Sequence, residues 1–358
     1  MQDIRLLEPL ILLMGHVVLV RRGKEHFLAE FKIKRLVSGG LITNYFCASR
    51  CRHCLYNCSP KWEKNYITPQ TAEANLRTIR ELGCSTVHIG GGEPLLRPNA
   101  LGDILEIAAR AGVAVEYVET NSAWFKNPDS AKTTFLNLRK KGLQTLLVSI
   151  SPFHNEYIPF SKVKWVIDAA RQTGIGIFPW VSEFIAELSE LDAACTHSLA
   201  DFEARFGRDY MTRLPQRYWI HMGGRALETF RPHFAKNSAQ QILDENTGSC
   251  AAELLNTGHF HLDLFGNYIP GLCTGLSIKR EHLGKALPAE KYPILYILFD
   301  KGIRGIFRMA VKEFDYTPAK ERYINKCDLC TEIRTFFVQN DFGGAAAELN
   351  PRKFYDNP

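Results

Sequence analysis

Between Thr68 and Gly83 the run TPQTAEANLRTIRELG places Ala72, Leu76, Ile79 and Leu82 three or four residues apart, the repeat of a single apolar helix face. Thr68 offers an N-cap oxygen, Pro69 suits the first turn, and Gly83 stops the helix. The short apolar run CSTVHIG that follows reads as a buried strand. The same order of helix, glycine and strand recurs with Gly112 before VAVEYVE, Gly142 before LQTLLVSI and Gly174 before IGIFPWV, the glycines standing 29, 30 and 32 residues apart. Units of this length predict parallel strands joined by crossover helices and curled into a closed or partial barrel. LITNYF at 41–46 and QRYWIHM at 216–222 read as the first and last strands, giving six.

From about Arg231 the alternation stops. FHLDLFGNYIPGLC alternates apolar and polar residues and turns at Gly266 and Asn267, which predicts a hairpin that delivers Cys273 after its second strand. At the other end, the apolar stretch Pro9 to Val20 is too short to span a bilayer. It reads as a strand or helix packed on the barrel, with a peripheral membrane contact through Arg21, Arg22 and Lys24 as the alternative. The tail after Gln339 reads as loosely ordered. The expected divisions are an N-terminal extension over 1–40, the barrel over 41–232, a cysteine-bearing module over 233–340 and the tail over 341–358.

With 358 residues, 46% of them hydrophobic, the chain buries a full core. Its net charge of +6 is spread among acids without a dense basic block, so there is no nucleic-acid footprint. No export signal is recognised, and the expected location is the cytoplasm. Ten cysteines in that setting point to metal binding rather than a disulfide framework.

Two sets of cysteines stand out. Cys47, Cys51 and Cys54 in FCASRCRHC have three and then two residues between them, a spacing that lets three thiolates meet on one iron-sulfur cubane and leaves its fourth iron open to a small molecule. Zinc is the alternative, although zinc sites usually show two separated pairs. Cys250, Cys273, Cys327 and Cys330 form the second set, for which a four-cysteine zinc site also stays open. Cys58 reads as a packed small residue or a stray thiol near the cluster, and Cys84 and Cys195 as buried hydrophobes.

The Cys-x3-Cys-x2-Cys loop, followed by VHIGGGEPLL, VEYVETNSAW and LLVSISPF, resembles the radical S-adenosylmethionine (radical SAM) superfamily. The resemblance covers residues 41 to about 230 and implies a partial (β/α)6 barrel. It implies a [4Fe-4S] cluster on the three cysteines and SAM held by Gly90, Gly91, Gly92, Glu93 and Pro94 beside its methionyl end. Glu119, Thr120 and Asn121 would face the ribose, and Ser149 and Ser151 the same pocket. In HMGGRA, Arg225 either pairs with the SAM carboxylate or forms a surface salt bridge. His53, where the family commonly has an aromatic ring, keeps the capacity to stack. The hairpin and the C-terminal cysteines resemble SPASM and Twitch extensions, which implies a second, auxiliary [4Fe-4S] cluster on Cys250, Cys273, Cys327 and Cys330.

The family chemistry is reductive cleavage of SAM to a 5′-deoxyadenosyl radical that takes hydrogen from an unactivated carbon. It requires an electron donor such as flavodoxin or ferredoxin. His154, Glu156 and Tyr157, past the fourth strand, are the expected substrate contacts. A barrel does not choose a substrate. A small molecule is expected, because only 46 residues precede Cys47, too few for most peptide-recognition domains. The alternatives are a maturase of a ribosomal peptide or protein and a non-catalytic iron-sulfur or zinc protein.

Overall fold

The computed structural model describes residues 30–217, 219–341 and 348–356. The apolar stretch Pro9 to Val20, with its basic neighbours, lies outside the described residues. Five β-α units build the first part of the chain. Strand β1 (Gly39–Ile42) precedes the cysteine loop, after which α1 (Pro69–Glu81) leads to β2 (Thr86–Gly90) and α2 (Pro98–Arg110) to β3 (Ala114–Thr120). Then α3 (Pro128–Lys140) leads to β4 (Thr145–Ser149), and the short α4 (Pro152–Asn155) and α5 (Phe160–Gln172) lead to β5 (Gly176–Trp180).

The periodic glycines mark the expected boundaries. Thr68 caps α1 by accepting from Thr71 N at 3.1 Å, and Gly83, Gly112, Gly142 and Gly174 all have positive φ, the left-handed turn that lets the chain leave a helix and enter a strand. Ala72, Leu76 and Ile79 are buried against the sheet, as the apolar stripe predicts. Leu41, Ile42, Val87, Ile89, Val118, Leu146 and Val148 are fully buried within it.

The sheet has eight strands in the order β5-β4-β3-β2-β1-β6-β7-β8, where β6 is Phe260–Asp263, β7 Asn267–Ile269 and β8 Ile278–Lys279. Strands β1 to β6 pair parallel with one another, while β7 pairs antiparallel with both β6 and β8. The sheet is open rather than closed, a partial barrel of α/β class with additional C-terminal strands. The sixth parallel strand is not the 216–222 segment. Tyr210–Arg217 is a helix that buries Tyr210, Met211 and Leu214, and Trp219 beyond it is exposed. The place beside β1 is filled instead by β6, the first strand of the expected hairpin, so that hairpin is continuous with the barrel sheet.

The last described segment is also better packed than its composition suggests. Phe354 and Tyr355 are buried, and the Glu348 carboxylate accepts from Ile294 N and Leu295 N, both at 2.8 Å, at the start of the helix Pro293–Phe314. These bonds satisfy donors that a helix N-terminus leaves unpaired. Among the described residues no helix is long and apolar enough to cross a membrane.

Candidate active site

The cysteine loop leaves the carboxyl end of β1 and is held from two sides. On one side Thr43 N donates to Gly90 O at 3.0 Å, Gly92 N to Asn44 O at 2.7 Å and Asn44 Nδ2 to Phe46 O at 2.8 Å. A Cβ on Gly92 would lie 2.0 Å from Phe46 O, so the absence of a side chain is what lets the β2 loop and the cysteine loop touch. On the other side stands Arg225. Its backbone N–H donates to Cys54 O at 3.0 Å, Nη1 to Cys51 O at 2.7 Å and Nη2 to Cys58 O at 3.1 Å. Expected at the carboxylate of SAM or in a surface salt bridge, Arg225 is buried beneath the loop instead and fixes the carbonyls between the thiols.

Cys47, Cys51 and Cys54 open into a cavity of about 460 Å³. Gly90, Gly91, Gly92, Pro94, Glu119, Thr120, Asn121, Ser149 and His154 line the same cavity. Burial pushes the Cys47 thiol up to about 12 and raises Cys51 strongly, whereas a hydrogen bond with the Cys58 thiol lowers Cys54. Cys58 is thus a buried neighbour of the triplet. Cys195 differs from expectation and is exposed. Cys47 Sγ accepts from Asn121 Nδ2 at 3.2 Å and from Ser49 N at 3.4 Å, so amide donors already point at the sulfur. Three thiols on one loop, with the Cys51 and Cys54 carbonyls held by Arg225 and the Cys47 sulfur hydrogen-bonded, fit a cluster with one iron facing the cavity.

Other expected residues stand behind the wall. Glu93 is fully buried, and its carboxylate accepts from Asn121 N at 2.7 Å, Leu95 N at 3.0 Å and Thr120 Oγ1 at 3.1 Å. It ties β2 to the end of β3, and burial raises it to about 7. Burial, with Cys54 nearby, likewise raises Glu119 to about 7, but Glu119 faces the cavity. Ser151 caps α4 and shares a 2.7 Å hydrogen bond with His154 Nδ1. Glu156 pairs with Arg52 at 2.9 Å, and Tyr157 is exposed. Of the three expected substrate contacts, only His154 therefore reaches the cavity. His53 stacks on Phe153 at 4.7 Å between ring centroids.

The cavity has a second wall that sequence reasoning missed: Tyr56, Tyr117, Phe178, Trp219, His221, His259 and His261. Burial lowers His261 strongly and His221 and His259 to a lesser degree, which keeps these rings neutral. The alternation of HLD in β6 and the histidine of HIG in β2 carried the only signal, and it means nothing until the two strands are known to flank β1.

Cys250, Cys273, Cys327 and Cys330 meet around another cavity of about 220 Å³. Cys327 and Cys330 share one face of the first turn of the helix Lys326–Gln339, capped by Asn325 Oδ1, which accepts from Cys327 N at 2.9 Å. Cys273 follows the hairpin, and Cys250 precedes the helix Ala251–Leu254. Burial raises Cys250 to about 12 and Cys327 to about 11. The buried Arg334 lines this cavity, donating to Thr274 O at 2.7 Å and Tyr355 Oη at 3.0 Å. The nearby Cys273 and Cys330, when deprotonated, would stabilise its charge. His221, His259 and Leu272 line both cavities.

Residues 41–181 match the model of the Radical SAM superfamily. A 144-residue stretch is 30% identical to the GTP 3′,8-cyclase of Aquifex aeolicus (strain VF5), covering 37% of this chain and 42% of that protein. The matched part is thus less than half of the cyclase. Among solved structures, native anSMEcpe with bound AdoMet aligns over 86% of this chain and 99% of its own at 13% identity and a TM-score of 0.39. BtrN in complex with AdoMet and 2-DOIA aligns over 67% and 74%, at 12% identity and a TM-score of 0.32.

Proposed function

We propose that this chain is a radical SAM enzyme with two [4Fe-4S] clusters, the first on Cys47, Cys51 and Cys54, the second on Cys250, Cys273, Cys327 and Cys330 in a SPASM/Twitch-like module. When bound, the first cluster supplies the electron that cleaves SAM to methionine and a 5′-deoxyadenosyl radical. The residues of the chain position SAM and substrate and shield the radical from other hydrogen donors. The observation that carries the reading is the wall common to the two cavities: His221, His259 and Leu272 line both, so at these residues the cavities stand one side chain apart. A substrate radical formed in the first cavity would lie next to the second cluster, as electron transfer to it or ligation by it demands.

Among the described residues the lining of the reaction cavity contains no lysine or arginine, which favours a substrate other than a triphosphate such as the GTP named for the cyclase relative. The proposed substrate is a small uncharged or cationic molecule that abuts the aromatic wall.

Anaerobically purified protein should hold about 8 iron and 8 sulfide per chain, ~4 per cluster. It should form 5′-deoxyadenosine from SAM and dithionite. Absence of 5′-deoxyadenosine from protein with a full first cluster would overturn the catalytic reading, and stoichiometric zinc with iron for one cluster would overturn the second cluster.

A further inference from the structure

Beside the two cysteine sets, one nitrogen from each of His88, His259 and His261 comes within 4.8 Å of the other two. Their convergence is set by the sheet. Gly40 in β1 is in register with His88 in β2 on one side and with His261 in β6 on the other, so the three residues form one row across parallel strands. Strands two apart are about 9.6 Å apart, and two imidazoles meet over that gap only if the middle residue has no side chain. A Cβ on Gly40 would stand 2.5 Å from His88 Cδ2 and Nε2. His88 Nε2 and His261 Nε2 are 2.8 Å apart as a result. His259, in the turn just before β6, brings its ring within 5.0 Å of the His261 ring, centroid to centroid.

We propose that these three histidines form a binding site for a divalent first-row transition metal ion, zinc among them, between the two cysteine-lined cavities. The surrounding groups are those such a site needs. The Tyr56 hydroxyl and His261 Nδ1 share a 2.7 Å hydrogen bond, which fixes the ring and directs Nε2 to the site, as outer partners of metal-bound histidines do. Tyr117 stacks on His88 with ring centroids 5.2 Å apart and 7° between planes, which fixes the second ring. Glu119 Oε1, 4.0 Å from His88 Nε2, places a carboxylate where it offsets the charge of a dication. His259 and His261 line the reaction cavity, so the remaining coordination positions open onto it.

Metal binding balances without an added base. The proton shared by the two Nε2 atoms moves to the Nδ1 of His88, leaving both rings neutral with a free lone pair at Nε2. The two nitrogens then separate by about half an ångström to accept an ion 2.0–2.1 Å from each.

The test uses the iron-loaded protein. Anaerobic protein is mixed with zinc chloride, passed through a desalting column and analysed for zinc and iron, and the zinc environment is read by X-ray absorption. The expected result is about one zinc per chain bound by nitrogen at 2.0–2.1 Å. His259→Ala, which truncates an exposed ring, and Gly40→Ala, which closes the gap between His88 and His261, should each lose zinc. Tyr56→Phe should weaken zinc affinity about tenfold. Unchanged iron in each variant shows that it has folded, and Gly40→Ala counts only with that iron in place. Failure of the wild type to retain zinc, zinc bound through sulfur, or undiminished zinc in folded His259→Ala would overturn the proposal. None of these readouts depends on SAM cleavage.

Discussion

Asn121 donates its side-chain amide to Cys47 Sγ at 3.2 Å while its backbone N–H donates to Glu93 Oε2 at 2.7 Å, so one residue at the end of β3 joins the cysteine loop to the glycine-rich loop. A hydrogen bond to a cluster thiolate raises the reduction potential by stabilising the electron-rich state. Asn121→Ala removes that bond and leaves the three iron ligands in place. We expect unchanged iron content, a more negative potential in an EPR redox titration, and slower 5′-deoxyadenosine formation. An unshifted potential would mean that the amide does not reach the sulfur in the loaded protein.

Gly92 separates two roles a glycine run can have. Its sequence context suggests room for a ligand, yet the space its missing Cβ leaves is filled by Phe46 O, 2.0 Å away. Gly92→Ala must therefore push the cysteine loop from its strand. The expected outcome is loss of the first cluster along with SAM binding, read as a fall of about half in total iron. Full iron with selectively weakened SAM affinity would show that the glycine serves the ligand instead.

The parts of this site that were legible in the sequence depend on local patterns. Helix stripes, glycine stops and buried strands set the order of the units, and that order brings Cys47, Gly91, Thr120 and Ser149 to the same ends of their strands. What was missed depends on pairing between distant segments. QRYWIHM has the apolar character of a strand, but a strand needs an edge, and the edge of β1 is occupied by β6. His88 and His261 are 173 residues apart in sequence, and only the register of both strands with Gly40 makes them neighbours. Glu93 and Arg225 carry charges that suggest ligand contacts, but both satisfy backbone groups of the loops around the cavity.

Glu93 gives the fold a pH dependence. Burial raises its carboxyl from 4.5 to about 7 in the folded protein. The folded state thus holds the proton more tightly than the unfolded chain, and this contribution to stability is full below pH 4.5 and lost as pH rises through about 7. Between pH 6 and pH 8 the loss should be on the order of 1 kcal/mol. Anaerobic urea unfolding at these two pH values measures it, and Glu93→Gln should flatten the difference. An equal pH dependence in the variant would assign the effect to other groups, such as Glu119.

The two cysteine sets should load independently, because one is held by the β1 loop and the other by the hairpin and the helix Lys326–Gln339. Changing Cys47, Cys51 and Cys54 together to Ala removes every protein ligand of the first cluster and none of the second. About half the iron should remain, ~4 atoms per chain, and reductive cleavage of SAM should vanish. Changing Cys327 and Cys330 to Ala should also halve the iron, yet 5′-deoxyadenosine should still form, because the cavity bearing the first triplet contains neither residue. The shared wall of His221, His259 and Leu272 makes the second variant the more informative one. If the second cluster takes an electron from a substrate radical across that wall, its loss should uncouple SAM cleavage from product formation. Cleavage that survives the triple change, or that disappears in a folded Cys327→Ala, Cys330→Ala variant with its first cluster intact, would refute the division of labour between the two cavities.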